Sequence, residues 1–243
     1  MRYKVNMAYD GRNYAGFQSQ INAVAIQDVI EEALYRIFSE KIRIVMSSRT
    51  DAGVHAYDQV FHFDSDKKKD PGKLKFSINS LIPKDMHINN VEIVSEEFHA
   101  RFSVKKKTYE YLINIGEYDP FLHGYAYQCF YKLDVDLMKK GAELLKGKHD
   151  FSSFNTSSLK EYPNQVKDIT EFRITRKKDI LKITVTSSGF LRNMVRIMVG
   201  TLIDLGRGLK TLDDIQDMLD HPNKTTRRYN ADPNGLYLKK IFY

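Results

Sequence analysis

An α+β fold is the class this chain predicts: a mixed, mainly antiparallel sheet shared by two similar α/β subdomains, with helices packed on it and a cleft between them. Three observations carry the prediction. Short β-type segments outnumber helical ones, and many are close enough along the chain to pair as hairpins. The order runs strand, helix, strand, strand in the first half and strand, helix, strand, strand, helix in the second. No linker-like composition separates the halves, so a boundary near residue 104, giving subdomains 1–104 and 105–243, leaves them on a shared sheet.

The elements follow in order. Tyr3 to Tyr9 alternates as a strand and stops at Asp10-Gly11, a turn signal. Residues 26 to 38 set Ile26, Val29, Ile30, Ala33, Leu34, Ile37 and Phe38 at helical spacing, with Glu31, Glu32 and Arg36 between them. Lys41 to Met46 and Asp58 to Asp64 read as strands. Asp66 to Lys75 reads as a charged, solvated connection, and Asn79 to Pro83 closes a short helix. Strands are expected at His87 to Val94 and Lys107 to Ile115. A helix at 134 to 146 puts Val135, Met138, Ala142 and Leu145 on one stripe. Strands at 166 to 175 and 180 to 187, helices at 189 to 205 and 212 to 219, and a final strand led by Gly235 complete the chain.

Totals narrow the class of function. The 243 residues are 42% hydrophobic and 28% charged, which excludes a disordered or low-complexity chain. Cys129 is the single cysteine, so neither an intrachain disulfide nor a cysteine metal cluster is expected, and a reducing cytoplasm is the simplest location. The most apolar stretch, Phe190 to Leu205, is interrupted by Arg192, Asn193, Arg196 and Asp204; no run approaches the roughly 18 residues of a membrane span. A net charge of +7 suits a polyanionic partner. The 15 tyrosines and 14 phenylalanines, several beside basic residues, supply rings on which unpaired bases stack.

The segment SSRTDAGVHA, residues 47 to 56, carries the clearest chemistry. Ser47, Ser48, Ala52, Gly53 and Ala56 leave room for a substrate to reach the backbone, and Arg49 and Asp51 lie two apart, so in extended chain they project to one side. A loop ion pair is one reading. The other is an ionised carboxylate acting as nucleophile or base, beside an arginine able to fill the gap left by an extruded base.

This string closely resembles the G-R-T-D-A-G-V-H-A signature of the TruA-type tRNA pseudouridine synthases. Other segments resemble the family in the same order along nearly the whole chain: YDGRNYAGFQSQ, NSLIPKDM, FHARFS, KTYEY, GKHDFSSF, GFLRNMVRIMVGTLIDLGRG and GLYL. The resemblance implies an isomerase that breaks the N1–C1′ bond of uridine, turns the base and rejoins it through C5, with no cofactor and no metal. It implies that Asp51 is the catalytic aspartate, that Tyr109 stacks on the uracil, and that Arg49 stabilises the flipped-out state. Arg196 is then the arginine that pairs with the carboxylate in an active-site cleft, and Arg101 lies on the binding face. The implied substrate is the tRNA anticodon arm at positions 38 to 40, bound across a homodimer. The same chemistry on ribosomal RNA, and a non-catalytic RNA-binding role, are the alternatives.

The chain departs from the family pattern at Ser48 (for Gly), Phe17 (for Trp), Thr108 and Glu110 beside Tyr109 (for arginines), and Ala231 to Asn234. Lys105, Lys106 and Lys107 are candidates to replace the missing arginine charge. His55 reads as structural or as lining the cleft, His99 as a hydrogen-bonded packing residue ahead of an RNA contact, and Met194, Val195, Ile197 and Met198 as core.

Overall fold

The computed structural model describes residues 1–226 and 228–243 and divides into two compact units, Met1–Lys105 with Tyr237–Tyr243, and Lys106–Leu236. Each unit is a mainly antiparallel sheet carrying one parallel pairing and packed with helices, the α+β arrangement expected.

The first unit holds β1 (Arg2–Tyr9), α1 (Ile26–Phe38), β2 (Val45–Met46), β3 (His55–Asp64), α2 (Pro71–Leu81) and β4 (Met86–Val94). The alternation of β1 puts Tyr3, Val5, Met7 and Tyr9 into the core. Both β3 and β4 pair antiparallel to it. The stripe of α1 buries Ile26, Ile30, Ala33, Leu34 and Phe38, and the Phe38 ring meets Phe63 of β3 edge-on at 5.9 Å. Asp28 accepts the Ala25 N–H at 3.0 Å at the start of α1, and Ser39 in the left-handed region ends it.

The second unit holds β5 (Lys106–Asn114), β6 (Tyr127–Gln128), α3 (Val135–Leu144), β7 (Gly147–Asp150), β8 (Val166–Lys177), β9 (Ile180–Ser187), α4 (Met194–Gly206) and α5 (Leu212–Asp220). Strands β5, β9, β8 and β7 lie side by side in that order, all antiparallel. Helix α4 is apolar on nearly every side because it is buried on nearly every side, and α3 packs against it, α5 and β8. Strand β10 (Leu236–Phe242) runs from the end of this unit into the first, where Tyr237 and Leu238 pair parallel with His55 and Ala56 of β3.

Three expectations of local structure shift. The charged stretch from Asp66 does not remain a loop to Lys75: Asp70 accepts the Lys73 N–H at 2.9 Å and Pro71 takes the first helical position, so α2 begins there. The strand expected at Lys41 to Met46 contracts to Val45–Met46. The helix expected from 189 starts at Met194, because Asn193 sits at φ 59° and residues before it form an approach loop. No helix among the described residues is long and apolar enough to cross a membrane.

Candidate active site

Asp51 lies half-buried in the loop between β2 and β3, and the loop is fixed from several directions. On one side Ser47 donates its hydroxyl to Gln59 Oε1 at 2.7 Å, and Gln59 Nε2 donates to the Ser48 carbonyl at 2.8 Å. Both Ser47 and Gln59 are buried. On the other side the segment Asp10–Phe17 packs along it. The Phe17 N–H donates to the Thr50 carbonyl at 3.2 Å, Tyr9 and Thr50 share a hydroxyl hydrogen bond at 2.8 Å, and the Gly53 N–H reaches the Tyr14 carbonyl at 3.4 Å. The turn itself is closed by Val54 N–H on the Asp51 carbonyl at 3.2 Å.

Two glycines permit this fit. A Cβ at Gly11 would fall 2.0 Å from the Val54 carbonyl oxygen, so its role is close approach rather than a turn. Gly16 has φ +91°, and a Cβ there would fall 2.5 Å from the Thr50 carbonyl oxygen. The third member is Asp85 of NSLIPKDM. Its carboxylate accepts from Tyr14 Oη at 2.7 Å and Asn13 Nδ2 at 3.1 Å, and its carbonyl accepts the Asp10 N–H at 2.8 Å. Burial and the Asp85 carboxylate raise the Tyr14 phenol well above its ordinary pKa, so Tyr14 stays a donor. The family resemblance implies RNA contact for the loop that carries Tyr14, and the sequence gives no role for Asp85. Their signal was available in the YDGRNY and IPKD segments, but nothing in either says that one touches the other.

Arg49 of the same loop is exposed to solvent. His55 is buried, accepts the Gly11 N–H at 3.3 Å and stacks on Tyr237 at 4.6 Å, the packing role expected of it. Arg101 is exposed beside Phe102, with its guanidinium 5.7 Å from that ring. His99 holds the turn beneath them, Nδ1 accepting the N–H groups of Arg101 at 3.1 Å and Phe102 at 3.2 Å. Burial and the charge of Arg2 lower its pKa, consistent with a neutral acceptor. The run Lys67 to Lys69 serves local structure: Lys67 Nζ pairs with Glu40 at 3.7 Å and donates to the Phe38 carbonyl, and Lys69 Nζ sits over the Phe38 ring.

In the second unit Tyr109 is buried on β5, and Phe190 meets its ring edge-on at 5.2 Å and 89°. Its departing neighbours have structural partners. Thr108 shares a hydroxyl hydrogen bond with Thr186 of β9 at 2.9 Å, and Glu110 lies 3.5 Å from Lys182 Nζ. Arg196, in the first turn of α4, donates from Nε to the Ala231 carbonyl at 2.7 Å, and the Ala231 N–H returns to the Arg196 carbonyl at 3.2 Å. The Asp232 carbonyl accepts from Tyr111 Oη at 2.8 Å. Residues 231 to 234 therefore anchor Arg196 and β5. Cys129 is buried, and burial raises its thiol pKa away from the reactive range. Among the described residues no group of three His, Cys, Asp or Glu side chains is placed to hold a metal ion.

Comparison with known proteins decides the family. A tRNA pseudouridine synthase family model matches residues 6–103 and 142–243, which include Asp51, Arg49, Arg101 and Arg196. The chain belongs to the tRNA pseudouridine synthase family. Relatives named tRNA pseudouridine synthase A support this along nearly their full length. The Streptococcus mutans protein is 40% identical over 100% of this chain and 99% of its own. That of Oceanobacillus iheyensis is 40% identical over 100% and 96%. The Thermoanaerobacter pseudethanolicus protein is 38% identical over 97% and 96%. Members of the family are RNA-modifying isomerases, and the clamped loop lies inside the first matched block.

Proposed function

We propose that this chain converts uridine to pseudouridine in the anticodon arm of tRNA, at positions 38 to 40, with Asp51 as the essential carboxylate. The observation that carries the reading is the setting of Asp51: a half-buried side chain on a loop held by the backbone of 11–17 and of Val60 and by the Gln59 side chain. A carboxylate on so fixed a support is aimed before substrate arrives, as catalysis by positioning requires.

The reaction rearranges one nucleoside. The N1–C1′ bond breaks, a C5–C1′ bond forms, C5 loses a proton and N1 gains one, so atoms balance without a co-substrate. Attack on C1′, addition to the base and removal of the C2′ proton all call on the same carboxylate, and Asp51 supplies it. Tyr109 stacks on the uracil, with its ring braced edge-on by Phe190. Arg49 steadies the extruded nucleoside, Arg196 supports the charge of the reacting centre, and exposed Arg101 meets phosphate. The reading extends to a cytoplasmic homodimer, as the family resemblance implies.

What supports tRNA over ribosomal RNA is the name the relatives carry, tRNA pseudouridine synthase A; the departures at Thr108, Glu110 and Ala231 make contacts within the chain. Mapping pseudouridines in cellular RNA with and without the protein tests this. The expected result is loss at tRNA positions 38 to 40 alone. Loss confined to ribosomal RNA would transfer the activity to that substrate, and an unchanged map would overturn the assignment.

A further inference from the structure

A buried polar cluster outside the site residues has its centre at Asn155, fully buried in the loop after β7. Asn155 Nδ2 donates to the Phe151 carbonyl at 2.6 Å and to Gln165 Oε1 at 2.7 Å. Lys224 reaches in from the segment after α5. Its ammonium donates to Asn155 Oδ1 at 2.9 Å and Gln165 Oε1 at 2.6 Å. Arg228 closes the arrangement, donating from Nη1 to the Asn155 carbonyl and from Nη2 to the Lys224 carbonyl at 2.6 Å. Two cations thus lie side by side on neutral oxygens. Burial and the neighbouring Arg228 lower the Lys224 pKa, against a smaller opposing pull from the Asp150 carboxylate.

The cluster leads to the proposed substrate-handling residues by two routes. Along the first, Asn155 Oδ1 accepts the Ser157 N–H at 2.8 Å, and Ser157 Oγ accepts the Arg192 N–H at 3.1 Å. The Thr156 N–H donates to the Arg192 carbonyl at 3.0 Å, and Asn193 Nδ2 donates to Thr156 Oγ1 at 2.8 Å. Phe190, Arg192 and Asn193 form the approach loop of α4, so this route sets the ring behind Tyr109 and the first turn that carries Arg196. Along the second, the chain leaving Arg228 brings the Tyr229 carbonyl to within 1.9 Å of where a Cβ on Gly200 would lie, then presents the Ala231 carbonyl to Arg196 Nε.

We infer that Lys224 is a positioning residue for the reaction: held between the amide oxygens of Asn155 and Gln165, it locks the 151–165 loop to both segments that place Phe190, Tyr109 and Arg196. The inference rests on the proposed isomerase reading. Its mechanism is geometric, since a misplacement of about 1 Å costs on the order of 100-fold in rate.

The test compares the wild-type chain with Lys224→Met, Lys224→Arg and Asn193→Gly. Asn193→Gly keeps the left-handed backbone and removes only the bond to Thr156, so it tests the first route even if Lys224→Met does not fold. Single-turnover pseudouridine formation on purified tRNA, tRNA Kd, melting temperature and amide exchange at residues 190–196 and 229–231 are read together. For Lys224→Met the expected result is a rate lower by about 10- to 100-fold with Kd changed less than about 3-fold. Faster exchange at both segments accompanies it, Lys224→Arg recovers most of the rate, and Asn193→Gly shows a smaller loss with faster exchange at 190–196 only. Wild-type rate and exchange in Lys224→Met and Asn193→Gly, or a rate that falls only as far as melting accounts for, would overturn the inference. An inactive wild-type chain would instead overturn the isomerase reading, while exchange still reports whether Lys224 locks the two segments.

Discussion

The loop of Asp51 and the segments around Arg196 are both held by close backbone contacts, but only the second is tied further to a side-chain cluster. Around Asp51 the fixing groups are mostly backbone: carbonyls and N–H groups of 10–17 and 47–54 meet directly, through glycines that admit no side chain. Around Arg196 the Ala231 backbone and the approach of the Tyr229 carbonyl to Gly200 are tied in turn to side chains from distant loops, with Asn155, Gln165, Lys224 and Arg228 bonding across gaps of up to 73 residues. Backbone clamping tolerates no added atom, whereas side-chain clamping fails gradually as single bonds are removed. The first kind suits a side chain that must stay in place.

Gly11→Ala should be the most damaging change. Its Cβ cannot be accommodated 2.0 Å from a backbone oxygen, and we expect a loss of about 3 kcal/mol or more in a denaturant titration, together with most activity. A stable, active Gly11→Ala variant would break the claim of backbone clamping. In the second unit, Tyr109→Leu should weaken substrate handling by about 1–3 kcal/mol, read as kcat/KM, whereas Tyr109→Phe keeps the ring and most of the activity. Equal behaviour of the two variants would exclude stacking.

Acid should loosen the first unit. His62 is buried, its Nδ1 accepts the Ala100 N–H at 3.1 Å, and burial, the charge of Arg2 and the neighbouring His99 imidazole lower its pKa to about 4, against the partial offset of Asp64. The unfolded chain therefore binds more protons between about pH 6.5 and 4, and stability falls as pH drops through that window, by at most roughly 3 kcal/mol. Denaturation midpoints at pH 7 and pH 5 check the slope, which His62→Gln should flatten. Asp70→Ala removes only the cap of α2 and should cost about 1 kcal/mol by the same titration, with activity unchanged.

Legibility in the sequence followed the same division. β1, α1, α3 and α5 were readable because each has one buried face and a regular period. SSRTDAGVHA and YDGRNYAGF were readable as motifs because backbone clamping confines its requirements to short contiguous strings. The start of α2 was written in Asp70-Pro71 but masked by the lysines around it. The cluster at Asn155 left no signal, since polar residues in irregular loops have no period and their pairing exists only once the loops are folded. Asp85 to Tyr14 was hidden for the same reason: the bond joins two motifs that say nothing of each other.

The role of Asp51 is tested most directly by single-turnover pseudouridine formation with Asp51→Asn on purified tRNA, with tRNA affinity measured in parallel. The account predicts a rate reduced by at least about 1000-fold while Kd stays within about 3-fold of wild type. An Asp51→Asn variant that still forms pseudouridine at more than about 1% of the wild-type rate would contradict it.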